Sequence, residues 1–407
     1  MKVIQSYIPF NNHNNPNSII SKEYAYLALL SGLQLKKLYG RVTLYTNEYL
    51  AEHFAAMDFP HEYDLSLNKE KAVYFATAKL KAFADQKEPF IHYDLDTLVF
   101  QKPDFSVKKS PFIFSHPDMP NHGYYKKDRV VPRKKHKAIN ALVQDVWFDN
   151  LMESYLLAYY NTSYLPEDYP IHLINPNNIP NMNIIGVKDW ETFNKATNLA
   201  IEIADKNEKI FANNWLASNF IEQLTIPLYL ELMSEEYRSA LAGHKQGDPA
   251  LSPFLFNGDP FTCLGFSSDD KNHMDQVKNM PKYPFDFKHF YHCGECHDWH
   301  KKMIPITDDN DFIDQMDLTK HRFTHIGGTN KQFALWQAMI IHTLVKHYGE
   351  ETILKVTNRY KMLGEKENNS NQYYHVGTYS HGEDLYEKLT GNKIFSQTSL
   401  KGKNKLL

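Results

Sequence analysis

Three short apolar runs separated by two helical stretches occupy residues 2–96, and the third run ends on Asp94-Leu95-Asp96. Residues 2–10 (KVIQSYIPF) read as a first strand, and an Asn-rich loop follows from Asn11 to Asn17. Residues 22–39 carry Tyr24, Leu27, Leu30, Leu33 and Leu38 at helical spacing, with Gly40 where a helix C-cap belongs. Arg41-Val42-Thr43-Leu44-Tyr45-Thr46 is β-branched and reads as a second strand. The spacing predicts another helix over 69–86, closed by Pro89, and Phe90-Ile91-His92-Tyr93 is the third strand. Alternation of this kind predicts an α/β fold, a mostly parallel sheet with helices on its faces. Open sheets of that type bind ligands at the carboxyl ends of their strands, where Asp94 and Asp96 fall.

The rest of the chain is less regular. Residues 116–137 mix Pro and Gly with the basic run Lys126, Lys127, Arg129, Arg133, Lys134, Lys135 and Lys137. Helices are expected at about 138–160, 190–206, 210–223 and 331–349, and a strand at 182–187. Residues 245–320 are rich in Pro, Asp, His and aromatics and read as an insertion. Beyond about 365 the sequence turns polar and ends in Lys401-Gly402-Lys403-Asn404-Lys405. We expect one domain over 1–350, interrupted at about 116–175 and 245–320, then a C-terminal extension over 351–407. No internal repeat is visible.

Composition removes several classes. An aromatic content of 14% excludes a disordered chain. With 45 Lys and Arg against 48 Asp and Glu, the net charge of −3 argues against nucleic acid as a partner. Three Cys cannot build a disulfide framework. Polar residues break the apolar run of Met1-Lys2-Val3-Ile4-Gln5-Ser6-Tyr7, so it does not read as a signal peptide, and no stretch is long and apolar enough to span a bilayer. A soluble, cytoplasmic protein is expected.

On an extended strand, residues i and i+2 share a face, so Asp94 and Asp96 are expected to reach one cation. Hard carboxylate oxygens favour Mn²⁺ or Mg²⁺, which can bridge a diphosphate and stabilise it as a leaving group. Two other readings compete: strand-end acids that cap the next turn, and a phosphatase of the haloacid dehalogenase type. The latter pattern has a spacer between its second Asp and a Thr, whereas Thr97 follows Asp96 directly.

A second pattern lies in Thr324-His325-Ile326-Gly327-Gly328-Thr329-Asn330-Lys331, at the start of the expected last helix. An imidazole can complete a carboxylate metal site, glycine lets backbone approach a phosphate, and a helix start with a lysine neutralises its charge. With 20 His and 17 Gly in the chain, roughly 0.1 matches to H-x-x-G-x-x-K are expected by chance. The plain alternative is a Gly-rich turn with a surface lysine.

D-x-D followed by H-x-x-G-x-x-K resembles glycosyltransferases of the GT-A fold, in particular family eight, the glycogenin and bacterial lipopolysaccharide galactosyltransferase group. The resemblance implies a GT-A-like (Rossmann-like) sheet and a transferase moving a sugar from a nucleotide-diphosphate sugar, UDP-sugar above all, with retention of configuration. It implies that Asp94, Asp96 and His325 hold Mn²⁺ (or Mg²⁺). Tyr7, Lys79, Gly328 and Lys331 would face the donor nucleotide and its phosphates. The family's N-x-G strand motif resembles Asn181-Met182-Asn183, with Asn183 in place of Gly, and its acidic-Gln pair resembles Glu222-Gln223. These four, Asn181, Asn183, Glu222 and Gln223, would surround the sugar. The acceptor would be a glycan, a lipid-linked sugar or a protein. The Gly-to-Asn departure motivates an alternative, a catalytically inactive protein that binds sugar or nucleotide-sugar.

Residues 289–300 hold His289, His292, Cys293, Cys296, His297 and His300. Cys293 and Cys296 with two histidines, His297 and His300 foremost, would make a closed tetrahedral zinc site stapling the insertion. Cys263 is a more distant candidate ligand. The competing reading is no metal, with the histidines at the surface. Covalent haem attachment to Cys-x-x-Cys-His is set aside, because it occurs outside the cytosol. The basic run at 126–137 reads as a solvated loop or as a lid over phosphates, and the basic C-terminus could touch an anionic membrane surface.

Overall fold

The computed structural model describes residues 1–8, 20–70, 76–102, 111–114, 166–167, 182–208, 220–230, 232–233, 254–256, 316–320, 323–325, 334–367 and 381–396. Nine strands are described. They are β1 (Lys2–Ser6), β2 (Thr43–Tyr45), β3 (Glu62–Asp64), β4 (Phe90–Tyr93), β5 (Thr97–Val99), β6 (Phe112–Phe114), β7 (Ile184–Val187), β8 (Phe254–Phe256) and β9 (Phe323–His325). Seven α-helices accompany them. They are α1 (Lys22–Tyr39), α2 (Glu48–Ala55), α3 (Thr77–Ala84), α4 (Trp190–Lys206), α5 (Ala334–Tyr348), α6 (Glu350–Glu367) and α7 (His381–Thr390).

Seven strands form one sheet in the order β3-β2-β1-β4-β7-β6-β8. β3, β2, β1 and β4 run parallel, as do β6 and β8, and β7 is antiparallel to both of its neighbours. The expected mostly parallel sheet with flanking helices is therefore present. Every residue of β4 and of β7 is buried, as central strands covered on both faces require.

Period-two alternation divides these strands between two cores. Ile4, Phe90 and Ile185 face one way, packing with Leu80 and Phe83 of α3 and Phe193, Ala196 and Ala200 of α4. Val3, Ile91 and Ile184 face the other way, toward Leu35 of α1. On that side α1 and α2 join α5, α6 and α7 around Tyr26, Leu30, Phe54, Trp336, Ile340, Tyr360 and Tyr386.

Local signals explain the best-read elements. Ser21 caps α1 by accepting from the Tyr24 amide at 3.2 Å, and Gly40 closes it at φ 81°, a conformation that favours glycine. In α4, Asp189 accepts from the Thr192 amide, and Phe193, Ala196, Thr197, Ala200, Ile201 and Ala204 form the buried stripe.

Several expectations are corrected. The helix expected over 69–86 is a 3₁₀ turn (Ser66–Lys69) and the shorter α3. The Asp94-Leu95-Asp96 motif is not extended strand. β4 stops at Tyr93, and the Thr97 amide donates to the Asp94 carbonyl at 3.0 Å, which closes a four-residue turn. The shared-face argument for the two acids therefore fails at the level of backbone. The polar sequence beyond 365 contains α7, whose Tyr386, with Ile394 and Phe395 after it, enters the core with α1 and α5. The expected helix at 138–160, the basic run at 126–137 and the tail beyond 396 lie outside the described residues. Among the described residues, no helix is long and apolar enough to cross a membrane.

Candidate functional site

At the carboxyl end of β4 the chain gathers ionisable side chains from four elements. Lys79, one turn into α3, extends to this edge. Its Nζ lies 2.7 Å from Asp94 Oδ1, 2.6 Å from Glu222 Oε1 and 3.2 Å from the Met182 carbonyl. Glu222 belongs to a π-helical segment, Phe220–Thr225. Such wide turns are rare and cluster at functional sites, because they displace a side chain from the helical register. The Asp94 amide donates to the Asn183 carbonyl at 2.9 Å, so the turn is joined to the residue before β7.

Burial opposes the charge on Lys79, but Asp94 and Glu222 override it and hold its pKa above the usual lysine value. Asp94 is pushed up from the carboxylate range by burial. Lys79 opposes that rise, and the charges of Asp96 and Glu222 add to it. Asp96 is itself buried, and its charge also acts on Tyr24 and His92. His92 is fully buried beneath the turn. Its Nε2 is 2.9 Å from Ser6 Oγ, and burial followed by Lys79 holds its pKa well below the ordinary value.

Tyr7 follows β1 at the same sheet edge. Its ring meets that of Tyr24 edge-on at 5.4 Å, and its carbonyl accepts from Thr46 Oγ1 at 2.7 Å. β5 begins immediately after Asp96 and pairs antiparallel with β9. In that register Thr97 is the partner of His325. Asp94, Asp96, Lys79, Glu222, Asn183, Tyr7 and the backbone of His325 thus converge on one end of the sheet. Gln223 follows Glu222 in the π-helical segment, and among the described residues its buried Oε1 has no hydrogen-bond partner.

Asn181, Gly328 and Lys331 lie outside the described residues, as do Cys293, Cys296, His297 and His300 of the suggested zinc site, together with Cys263. Among the described residues, no three His, Cys, Asp or Glu side chains form a ready-made metal cage.

A divalent cation nevertheless fits the donor set in chemistry and charge. Asp94 and Asp96 are hard oxygen donors near enough for the charge of one to raise the other. Among the described residues, Lys79 pairs with both Asp94 and Glu222, and the charge of Asp96 is near enough to act on Asp94.

Sequence reasoning missed the polar groups beneath the turn. Gln5 and Ser31 are fully buried, and His61 is nearly so. Gln5 interrupts the apolar run Val3-Ile4, which is the one sequence signal that could have flagged it.

Residues 1–155 match a family of unknown function (DUF6734). No curated protein matches the chain. Among solved structures, the chain is similar to mouse xyloside xylosyltransferase 1 in its apo form. The two share 11% identity at a TM-score of 0.33, over 82% of this chain and 99% of that one. That score is too low for the likeness to carry either fold or function.

Proposed function

We propose that this chain is a metal-dependent glycosyltransferase that takes a sugar from a nucleotide-diphosphate sugar, a UDP-sugar, and passes it to an acceptor hydroxyl. The observation that supports this reading most is the β5–β9 pairing. The residue after Asp96 has His325 as its register partner, so two motifs far apart in sequence share one sheet end. Asp94, Asp96 and His325 would hold Mn²⁺, and the ion when bound would neutralise the diphosphate of the donor.

The chain's own groups have distinct tasks. Lys79 fixes Asp94 and Glu222 in direction through its 2.7 and 2.6 Å contacts. Glu222, projecting from the π-helical segment, and Asn183 would face the sugar. Tyr7, beside β2, would flank the nucleotide. Gly328 and Lys331, following β9, would approach the phosphates through backbone and ammonium.

Calorimetric titration with UDP, with and without Mn²⁺, tests the reading. Mn²⁺-dependent UDP binding is expected, as are its loss in Asp96→Ala and slow hydrolysis of a UDP-sugar. Mn²⁺-dependent binding that survives in Asp96→Ala would overturn the metal assignment. Trapping of a beryllium fluoride adduct on Asp94 would favour a phosphatase instead.

A further inference from the structure

The Asp94–Thr97 turn rests on a buried chain of hydrogen bonds from three other elements. His61, just before β3, lies with Nε2 2.6 Å from Gln5 Oε1. Gln5 Nε2 donates to Ser31 Oγ at 3.0 Å and, at 3.4 Å, to the Asp94 carbonyl. Ser31 Oγ donates to the Thr97 carbonyl at 2.7 Å. The directions are consistent only one way. Ser31 Oγ gives its single proton to Thr97, so it accepts from Gln5. The amide oxygen of Gln5 then accepts from His61, whose Nε2 carries the proton. Burial holds the His61 pKa down at about 3, so this neutral tautomer persists across the working pH range. Each donor in such a line polarises the next, which strengthens the line as a unit.

The two carbonyls it grips are the first and last of the turn that presents Asp94 and Asp96. No side chain of the line reaches the site edge. We propose that Gln5 and Ser31 are positioning residues, which set the direction of the Asp94 and Asp96 carboxylates through the Asp94 and Thr97 backbone. This inference rests on the metal-dependent reading above for its effect on binding, whereas its effect on the turn is independent of that reading. Outer groups that orient metal-binding side chains typically change metal affinity by about 10–100-fold.

The test uses the full chain and two readouts. Calorimetry with Mn²⁺ and UDP compares wild type with Ser31→Ala and with Thr357→Ala. Thr357→Ala removes a buried hydroxyl that bonds Tyr26 Oη at 2.8 Å, away from the turn. Thermal unfolding confirms that each variant is folded at the titration temperature. Ser31→Ala is expected to bind Mn²⁺ and UDP about 10–100-fold more weakly, and Thr357→Ala like wild type. Equal losses in both variants, or none in Ser31→Ala, would overturn the proposal. Hydrogen exchange at the Thr97 amide, read without metal, is expected to quicken in Ser31→Ala alone. Unchanged exchange overturns the hold on the turn, even where wild type fails to bind Mn²⁺ and UDP and the metal reading falls by itself.

Discussion

Lys79 Nζ stands 2.6 Å from Glu222 Oε1 and joins the start of α3 to a π-helical turn far along the chain. The same nitrogen is 2.7 Å from Asp94, so one ammonium serves two buried or half-buried acids. Removing it leaves both acids uncompensated, with Asp96 adding to the repulsion. Lys79→Met should destabilise the fold by about 3 kcal/mol, the lower end of the cost of breaking a buried pair, because Asp94 keeps some exposure. The double variant Lys79→Met/Glu222→Gln should regain part of that loss, and urea unfolding of the full cycle measures it. Strictly additive losses would show that the pair is not coupled.

The elements that sequence reasoning reached share a physical trait. α1, α4, β4 and β7 each have a long apolar period or a fully buried run, and α1 and α4 carry a capping side chain that marks where they start. Other elements are hidden for specific reasons. β5, β6, β8 and β9 are three residues each, too short for a period to register, and exist through pairing with distant partners. α2 was not read, although Asn47, which accepts from the Leu50 amide at 2.9 Å, is a residue type that starts helices. The site divides in the same way. The acids of D-x-D were visible as chemistry, yet their turn depends on hydrogen bonds across β1, α1 and β7, which no local pattern encodes. Lys79 was read as a phosphate contact, and the structure adds its pairing with Asp94 and Glu222.

Gly32, inside α1, offers a sharper test of the packing beneath the turn. A Cβ there would lie 2.4 Å from His61 Cε1 and 3.0 Å from His61 Nε2. Helix propensity alone favours alanine over glycine by about 0.5–1 kcal/mol. Here the clash with a ring held by Gln5 should win. Gly32→Ala is expected to destabilise by about 1–3 kcal/mol in chemical denaturation, the usual cost of overpacking. A stabilised variant would show that His61 moves aside freely.

Glu383 on α7 accepts from Lys22 Nζ at 3.0 Å and from Tyr26 Oη at 2.5 Å, and its side chain is fully buried. On the same helix Asp384 pairs with Lys388 at the surface, with side-chain exposures of 42% and 68%. The two pairs should therefore differ in value. Glu383→Ala is expected to cost about 3–5 kcal/mol, because it removes the buried carboxylate to which Lys22 and Tyr26 both donate, and Asp384→Ala less than about 1 kcal/mol. Thermal and urea unfolding of both variants make the comparison. Equal losses would mean that α7 is not held to α1 through this contact.

His53 on α2 supplies the pH dependence. Arg359 Nε donates to His53 Nδ1 at 3.4 Å, so that nitrogen is unprotonated, and Nε2 donates to Tyr360 Oη at 3.2 Å. Tyr360 in turn donates to the Ile20 carbonyl at 2.6 Å. Burial, then the Arg359 charge, lowers the His53 pKa from 6.5 to about 4. Between those values the unfolded chain binds a proton that the native state refuses, so stability falls as pH drops from about 6.5 to about 4. Above that window both states are neutral and the residue adds no pH dependence. The full loss from this one residue is about 3 kcal/mol. His61 and His92 act in the same direction, so the His53 share is isolated by substitution. His53→Gln keeps a donor toward Tyr360 but cannot titrate. It should be less stable than wild type at neutral pH by about 1 kcal/mol, overtake it at about pH 6, and lead by about 2 kcal/mol near pH 4. Urea unfolding across that pH range reads the crossing, and a difference that stays constant with pH would show that His53 titrates in the folded protein as it does in the unfolded chain.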